Sequence, residues 1–341
     1  MSTQVRDQSR FRLGLMFAIG SAFTFSTSGP LAKSLMEAGW SATAAVTARM
    51  ACGALLMVIV ASVIRPGWVR EARQHARVLV LYGFIPVAGA QLCYFNAVAH
   101  LSVGVALLLE YTAPILVVGW LWATTQRRPS GMTLAGVALA IAGITLVLNI
   151  FSGGASAATP AVGAHGTVAG VAWAVGAALC AACYFMMSGQ VSSSGAADDQ
   201  GLHSITLATG GLITGALAVA LLGFSGVMPM QFTANDVVVA GTTLPWLVPV
   251  IVLGVIPTAV AYWLGIAGVS RLRPGFASLV GLSEVLFAVL AAWVLLGEAV
   301  SATQAIGGVV VLLGLALARH GDDDRQPDSN QATDSQLASH L

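Results

Sequence analysis

The chain has 341 residues, of which 57% are hydrophobic and 9% are charged, and its net charge at neutral pH is +1. Soluble globular domains carry about 25% charged residues, so this composition excludes an ordinary soluble fold and indicates a protein surrounded by lipid. A net charge this close to zero gives no overall field that would attract nucleic acid, and nucleic-acid binding is therefore set aside.

Long apolar segments follow one another along the chain. A helix needs about 20 predominantly apolar residues to cross the hydrocarbon core, because every backbone amide must find its partner inside the segment. Ten segments meet this requirement: 13–35, 42–64, 78–100, 103–123, 132–150, 167–188, 203–223, 246–269, 274–296 and 300–318. We therefore predict an all-α membrane protein with ten transmembrane helices.

Basic residues are distributed unevenly between the predicted connections. Thirteen of the fifteen Lys and Arg residues fall in the two termini or in the loops that share a side with them. Cytoplasmic loops carry the excess of positive charge, so this asymmetry predicts a multi-pass inner-membrane protein with both termini in the cytoplasm. The connection 189–202 has Asp198 and Asp199 and no basic residue, but acidic residues weigh little in this rule.

The chain divides into five predicted parts. These are a cytoplasmic N-terminus at 1–12, a five-helix repeat at 13–150, an external linker at 151–166, a second five-helix repeat at 167–318 and a disordered cytoplasmic tail at 319–341. The linker is rich in small residues, and the tail has too little apolar content to pack. The first apolar run is too long for a signal peptide, so we interpret it as an uncleaved span.

The segment that begins at Val103 is repeated in the second half. Aligning it with Pro274 without a gap pairs small residues and one tryptophan: Gly104 with Gly275, Ala106 with Ala277, Trp122 with Trp293, Gly136 with Gly307 and Gly143 with Gly314. Upstream, Tyr94-Phe95 pairs with Tyr262-Trp263 once a difference of three residues is allowed. Since five is an odd number of helices, the second repeat must enter the membrane inverted, as in many secondary transporters whose site lies between the halves.

Three stretches resemble a known family. They are YFNAVAHLSVGVALLLEYTAPILVVGWLW, GVALAIAGITLVL and AYWLGIAGVSRLRPGFASLVGLSEVLFAVLAAWVLLGEAVSATQAIGGVVVLLG. They look like the paired EamA domains of the drug/metabolite transporter superfamily, and LEYTAP is most similar to the threonine/homoserine exporter type. The resemblance implies proton-driven efflux of amino acids or similar small metabolites. The glycine-glutamate turn of that family is present at Gly297-Glu298, whereas the first half reads TTQRRPS.

Four ionisable side chains fall inside predicted helices, where each needs a partner, a wet cavity or access to the interface. Lys33 lies near the outer end of helix one and either extends to the interface or is a possible member of the substrate or proton site. Arg49 and Glu110 lie at similar depth and are expected to pair, either as a static brace or as a substrate or proton site that binding opens. Glu284 is a candidate proton carrier or amine counter-ion, and its structural alternative is a protonated carboxyl hydrogen-bonded to a neighbouring helix.

Polar and aromatic side chains of two related helices lie near these charges. On helix three they are Gln91, Tyr94 and Phe95, and on helix eight they are Thr258, Tyr262 and Trp263. They suit a pocket and equally suit helix packing. Pro114 and Pro257 remove backbone hydrogen bonds inside helices four and eight, so they are predicted hinges or ordinary kinks.

The cysteines do not indicate a metal or redox site. All four, Cys52, Cys93, Cys180 and Cys183, lie in apolar segments, where a thiol behaves as a small hydrophobic group. The C-x-x-C spacing at 180–183 has no second pair and no histidine cluster beside it. No cofactor and no metal are expected.

The expected function is secondary active transport of a small molecule by alternating access. The chain has no G-x-x-x-x-G-K-[ST] loop for nucleotide hydrolysis. A lipid or lipid-linked sugar flippase on the same fold is the alternative. A membrane-embedded enzyme is disfavoured because the histidines are scattered mostly at helix ends and in loops. The lipid bilayer is the expected surrounding, and assembly as a homodimer stays open.

Overall fold

The computed structural model of the chain describes residues 2–125, 128–148, 164–195, 202–261, 264–265 and 280–323. In the first half the helices are α1 (Ser2–Ser26), α2 (Ser28–Glu37), α3 (Ala42–Ile64), α4 (Trp68–Gln74), α5 (Ala76–Tyr82), α6 (Ala90–His100), α7 (Val103–Glu110), α8 (Ala113–Thr125) and α9 (Gly131–Val147). In the second half they are α10 (Ala164–Gly195), α11 (Ser204–Phe224), α12 (Leu247–Gly254), α13 (Ser283–Leu296) and α14 (Ala302–Asp323). Two segments are π-helical, π1 (Gly83–Gly89) and π2 (Val255–Val260).

The apolar helices lie where the hydropathy pattern predicts spans. Six are long and apolar enough to cross a membrane: Arg12–Glu37, Ala42–Ile64, Ala76–His100, Val103–Thr124, Gly166–Tyr184 and Ile205–Phe224. Four shorter ones occupy the other predicted positions: Gly131–Val147, Leu247–Val260, Ser283–Leu296 and Ala302–Ala318. The prediction of a helical membrane protein is confirmed, and the count of ten spans stays a prediction. Most of the predicted linker and of the predicted tail lies outside the described residues.

Serine hydroxyls begin corresponding helices of the two halves. Ser130 Oγ accepts a hydrogen bond from the N–H of Thr133, and Ser301 Oγ accepts one from the N–H of Gln304. Each satisfies an amide of the first turn, which has no partner within its own helix. The internal alignment pairs Ser130 with Ser301, so the starts of α9 and α14 repeat as their sequences do.

The contacts between the two halves are symmetric: each contact has a counterpart in which the two halves have swapped roles. α3 packs along α11, and these are the second spans of the two halves. α9 packs along α14, and these are the fifth spans. The contact of α7 with α10 corresponds to that of α13 with α1. Two related halves joined around a common axis give this set of contacts.

Glycines bring α9 and α14 into backbone contact. A Cβ added to Gly143 would lie 2.6 Å from the backbone nitrogen of Val311, and one added to Gly136 would lie 2.4 Å from that of Ala318. The later residue of α9 thus faces the earlier residue of α14, so the two helices run in opposite directions. Corresponding helices of inverted repeats are antiparallel in this way.

A hairpin follows α11 that the sequence pattern did not predict. Strands β1 (Val237–Val239) and β2 (Thr242–Leu244) pair antiparallel, and Ala240 and Gly241 between them have φ of 52° and 72°. The N–H of Ala240 donates to the carbonyl of Leu295 at the end of α13. We call this side of the bundle, which also carries Trp40, the hairpin end.

Candidate functional site

A cavity of about 380 Å³ lies between the two halves. Its walls come from α1, α2, α3, π1, α6, α7, α8, α10 and α13, with Tyr111 and Gly281 from beside the breaks in the fourth and ninth spans. Its charged and hydrogen-bonding lining includes Arg49, Gln91, Tyr94, Glu110, Tyr111 and Glu284. The structure therefore brings together five residues that the sequence analysis chose and adds Tyr111.

Two helices are interrupted beside the cavity. α7 ends at Glu110, and α8 begins at Ala113 with Pro114 as its second residue. The internal alignment pairs Tyr111 of this turn with Leu282, which forms the turn immediately before α13. Proline fits the first turn of a helix because amides there lack intrahelical partners. Pro114 thus marks a real interruption of its span, and the motion of Pro114 and Pro257 as hinges stays a prediction.

Tyr111 joins the two interruptions. Its hydroxyl lies 2.7 Å from Oε2 of Glu284 and 3.3 Å from the carbonyl oxygen of Gly281. Gly281 is helical and directly precedes the turn at Leu282, after which α13 begins, so its carbonyl is near the break. A phenol on the broken fourth span therefore positions the carboxylate on the broken ninth span.

The second interruption of regular α-helix is a pair of π-helical segments. Pro86 lies in π1 and Pro257 lies in π2. Continuing the alignment of Val103 with Pro274 upstream without a gap pairs Ile85-Pro86 with Ile256-Pro257. Of these two prolines the sequence analysis identifies only Pro257. The three-residue shift that pairs Tyr94 with Tyr262 places Pro86 opposite Gly254, so the match of the prolines is missed.

Arg49 is held by side chains and backbone of both halves. Its Nη1 donates to Oε1 of Gln91, its Nε donates to Thr258 Oγ1 at 3.4 Å, and its Nη2 lies 3.5 Å from the carbonyl of Pro257. The guanidinium carbon lies 5.6 Å from the centre of the Phe95 ring, which is fully buried. Such contacts compensate a buried guanidinium for lost hydration.

The expected ion pair between Arg49 and Glu110 is not seen. Both residues line the cavity, but the ion pairs among the described residues join Lys33 to Glu298 and Arg65 to Glu71. The acceptors that the guanidinium contacts instead are Gln91, Thr258 and the Pro257 carbonyl. The brace between helices is thus built from neutral acceptors, and Glu110 remains at the cavity.

Lys33 lies apart from the cavity lining and does not extend to the interface. It is 4% exposed, its Nζ contacts the carboxylate of Glu298, and it donates to the carbonyl of Leu101 at 3.2 Å. The other oxygen of Glu298 accepts from the N–H of Val103, the first residue of α7, at 3.2 Å. This cluster, the closing pair Lys33–Glu298, connects α2 and the start of α7 with the loop after α13.

The position of Glu298 follows from the helix end before it. Gly297 has φ of 71°, and the N–H of Glu298 donates back to the carbonyl of Ala292. Only glycine adopts this left-handed conformation without strain, and it is the usual residue just past a helix end. The Gly297-Glu298 turn therefore places a carboxylate over the neighbouring α7.

Side chains between the cavity and the hairpin end are buried. Leu35, Val98, Leu101 and Val103 are each 0% exposed, and they lie beyond the cavity residues on α2, α6 and α7. Trp40 is 5% exposed and its indole N–H donates to the carbonyl of Thr233 in the segment that leads to the hairpin. The cavity is closed on this side.

Some of the other predicted site residues lie at or beside the cavity, and two lie outside the described residues. Thr258 and Phe95 contact Arg49 behind the cavity wall, as described above, and Tyr94 lines the cavity with 6% exposure. Tyr262 and Trp263 lie outside the described residues. In the part of the chain that the structure describes, no three His, Cys, Asp or Glu side chains are grouped to hold a metal ion.

Comparisons with known proteins identify the family. The family model described as the EamA-like transporter family matches residues 12–149 and 168–319. A solved crystal structure of a protein is similar over 94% of this chain and 99% of that chain, with 21% sequence identity and a TM-score of 0.59, which shows a shared fold. No curated protein matches the sequence. The chain belongs to the EamA-like transporter family and so to the membrane transporters of the drug/metabolite superfamily.

Proposed function

We propose that the chain is a proton-coupled exporter of amino acids or related small metabolites, of the threonine/homoserine exporter type. The observation that carries the proposal is that Glu110 and Glu284, one from each half, line one cavity beside Arg49. Ionisable residues inside a membrane protein mark substrate pathways and proton relays. The LEYTAP segment, which contains Glu110 and Tyr111, supports the subtype.

The two carboxylates give a reason for coupling. A carboxylate that holds a proton has lost the charge that attracts an amine, so a proton and an amine-bearing substrate exclude each other at the same oxygen atoms. A cavity that must hold one or the other as it changes sides exchanges them across the membrane. Substrate and protons then move in opposite directions, as export driven by an inward proton gradient requires.

Alternating access requires that the cavity be closed on one side at a time. The closing pair Lys33–Glu298 and the buried side chains around it support closure at the hairpin end. We propose that opening on this side separates Lys33 from Glu298. The distribution of Lys and Arg supports an inner-membrane orientation with both termini in the cytoplasm and the hairpin end outside.

The proposal is tested by flux measurements in proteoliposomes. Purified protein is reconstituted, a pH gradient is imposed, and uptake and proton movement are followed across a panel of amino acids, amines and drugs. We expect Glu110→Gln or Glu284→Gln, or both, to abolish proton-linked flux while the protein remains folded in the membrane. Asp236→Asn, which likewise replaces a carboxylate by an amide at an exposed position just before β1, is the control and keeps full flux. Full flux in both cavity variants contradicts the coupling role.

The polar lining also bears on the lipid alternative. A cavity with one guanidinium and two carboxylates suits a small water-soluble substrate better than a lipid tail. The same vesicles are therefore assayed with fluorescent phospholipids. Rapid equilibration of the labelled lipid between leaflets, with no flux of small solutes, would favour the flippase.

A further inference from the structure

Hydrogen-bond donors and acceptors are unevenly used in the cavity. Each of the three guanidinium nitrogens of Arg49 already donates to a protein acceptor, on α6 or on the π2 segment. The residue is 6% exposed and lies over the Phe95 ring. The cation of this cavity is therefore used mainly to hold the two halves together.

The acceptors have far fewer partners. Oε2 of Glu284 receives the hydroxyl of Tyr111. Within the described part of the chain, no donor reaches Oε1 of Glu284 or either oxygen of Glu110. Ser28 also lines the cavity, is 5% exposed, and has a hydroxyl oxygen without a hydrogen-bond partner among these residues.

Acceptors left without donors inside a protein cost free energy, which a ligand that supplies donors recovers. A protonated amine brings up to three N–H donors and a positive charge. The cavity wall also includes the aromatic rings of Phe25, Tyr94 and Tyr184, and ring faces attract cations. A ligand carboxylate would meet two carboxylates and an arginine that is already engaged.

We propose that the cavity recognises its ligand through a protonated amine held between Glu110 and Glu284, and that a ligand carboxylate is not needed. The inference narrows the substrate class of the exporter proposed above and rests on that proposal. It favours small organic amines over amino acids. A volume of about 380 Å³ accommodates an amine that carries a single ring.

The test compares three ligands that share one ring and differ in charge. Phenethylamine is a cation, phenylalanine is a zwitterion and 3-phenylpropanoate is an anion. Their dissociation constants are measured by calorimetry on the purified full-length protein in detergent. We expect phenethylamine to bind at least about tenfold more tightly than phenylalanine, and 3-phenylpropanoate to show no binding.

Variants locate the binding. Glu110→Gln and Glu284→Gln should each weaken phenethylamine binding by about tenfold or more, because each removes one charge that contacts the ammonium group. Asp236→Asn, at an exposed position just before β1, should leave it unchanged. Unchanged binding in both cavity variants overturns the inference, as do tighter binding of phenylalanine and a complete lack of phenethylamine binding at millimolar concentration.

Failure of this inference is distinguishable from failure of the proposed function. Proton-linked flux of phenylalanine without phenethylamine binding would refute the amine specificity and leave the exporter standing. Phenethylamine binding that depends on Glu110 but moves neither amine nor protons in vesicles would support the site and refute the exporter.

Discussion

Two buried groups of charges in this protein are arranged in opposite ways. At the hairpin end, Lys33 and Glu298 contact each other directly, and each also bonds to the backbone around the start of α7. In the cavity, Arg49 is held by neutral acceptors while Glu110 and Glu284 face the open space. The difference indicates that the charges of the first group neutralise each other and close the bundle. In the second group the two carboxylates stay available to a ligand or proton.

The largest expected effect is at the closing pair. Lys33→Met removes one partner of a largely buried ion pair and should lower the free energy of unfolding by about 3 kcal/mol, because Glu298, whose side chain is 17% exposed, is left without its cation. The midpoint of thermal unfolding in detergent measures the loss. Lys33→Met combined with Glu298→Gln should recover much of it, and a double variant as unstable as the sum of the singles would contradict a self-satisfied pair.

The uncharged contact between α9 and α14 provides a comparison for the two groups of charges. Gly143→Ala should cost about 1–3 kcal/mol, because the added Cβ would lie 2.6 Å from the nitrogen of Val311 and force α9 away from α14. Gly119→Ala is the matched control, since a Cβ there meets nothing within 4 Å. Thermal unfolding should separate the two variants, with Gly119→Ala at least as stable as the parent. Equal midpoints would show that the close contact is relieved without cost.

The cavity side of the comparison is tested by Tyr111→Phe. The variant keeps the ring and removes the hydroxyl that donates to Glu284, so substrate-driven proton flux should fall by about tenfold, the scale of a hydrogen bond to a charged group. Stability should change little because the freed carboxylate borders the cavity. Flux is measured in the proteoliposome assay. A large loss of stability with normal flux would make Tyr111 a structural brace instead.

A third carboxylate, outside the spans, should give the smallest effect. Burial raises the pKa of Glu71, but hydrogen bonds from the N–H of His203, from Arg65 and from Thr206 outweigh it, so the pKa lies below its usual value. Such a group stabilises the fold above its unfolded-state pKa and loses that contribution as pH falls through the lowered pKa. Glu71→Gln should therefore cost about 1 kcal/mol at neutral pH.

Melting temperatures of the parent and Glu71→Gln measure this contribution. The difference should be full at neutral pH and should shrink below about pH 4, where the parent carboxyl takes up its proton. A difference that stays constant through the acid range would show that the amide reproduces the bonds to His203 and Thr206 without a charge.

The sequence predicts the features of this fold that depend on local composition. The hydropathy of a segment indicates by itself whether the segment is stable in lipid, so the positions of the spans are predicted from hydropathy alone. The depth of Arg49, Glu110 and Glu284 along their helices also follows from residue numbers, and the structure brings these three to one cavity. The four aligned glycines of α9 and α14 all lie at the backbone contact between these helices, where Gly136 faces Gly314 and Gly143 faces Gly307.

Features that depend on distant partners were not predicted. Lys33 and Glu298 are 265 residues apart, and their meeting depends on how α13 ends. Tyr111 lies inside LEYTAP, but the sequence does not show that its hydroxyl donates to Glu284. That contact depends on how the two broken spans pack side by side. The position of Lys33 near a helix end allows it to extend to the interface, because a residue's place along its own helix gives no information about the loop that covers it.

The π-helical segment before α6 makes the spacing of this chain as important as its composition. A π-helical turn accommodates one residue more than an α-helical turn. The segment Gly83–Gly89 therefore holds one residue more than regular α-helix would over the same rotation, and a regular α-helix of the same residues would rotate every later side chain of the span by about 100°. Gln91 and Tyr94 would then face a different neighbour, so a relative with the same residues and no π-helical turn here would offer its ligand another surface.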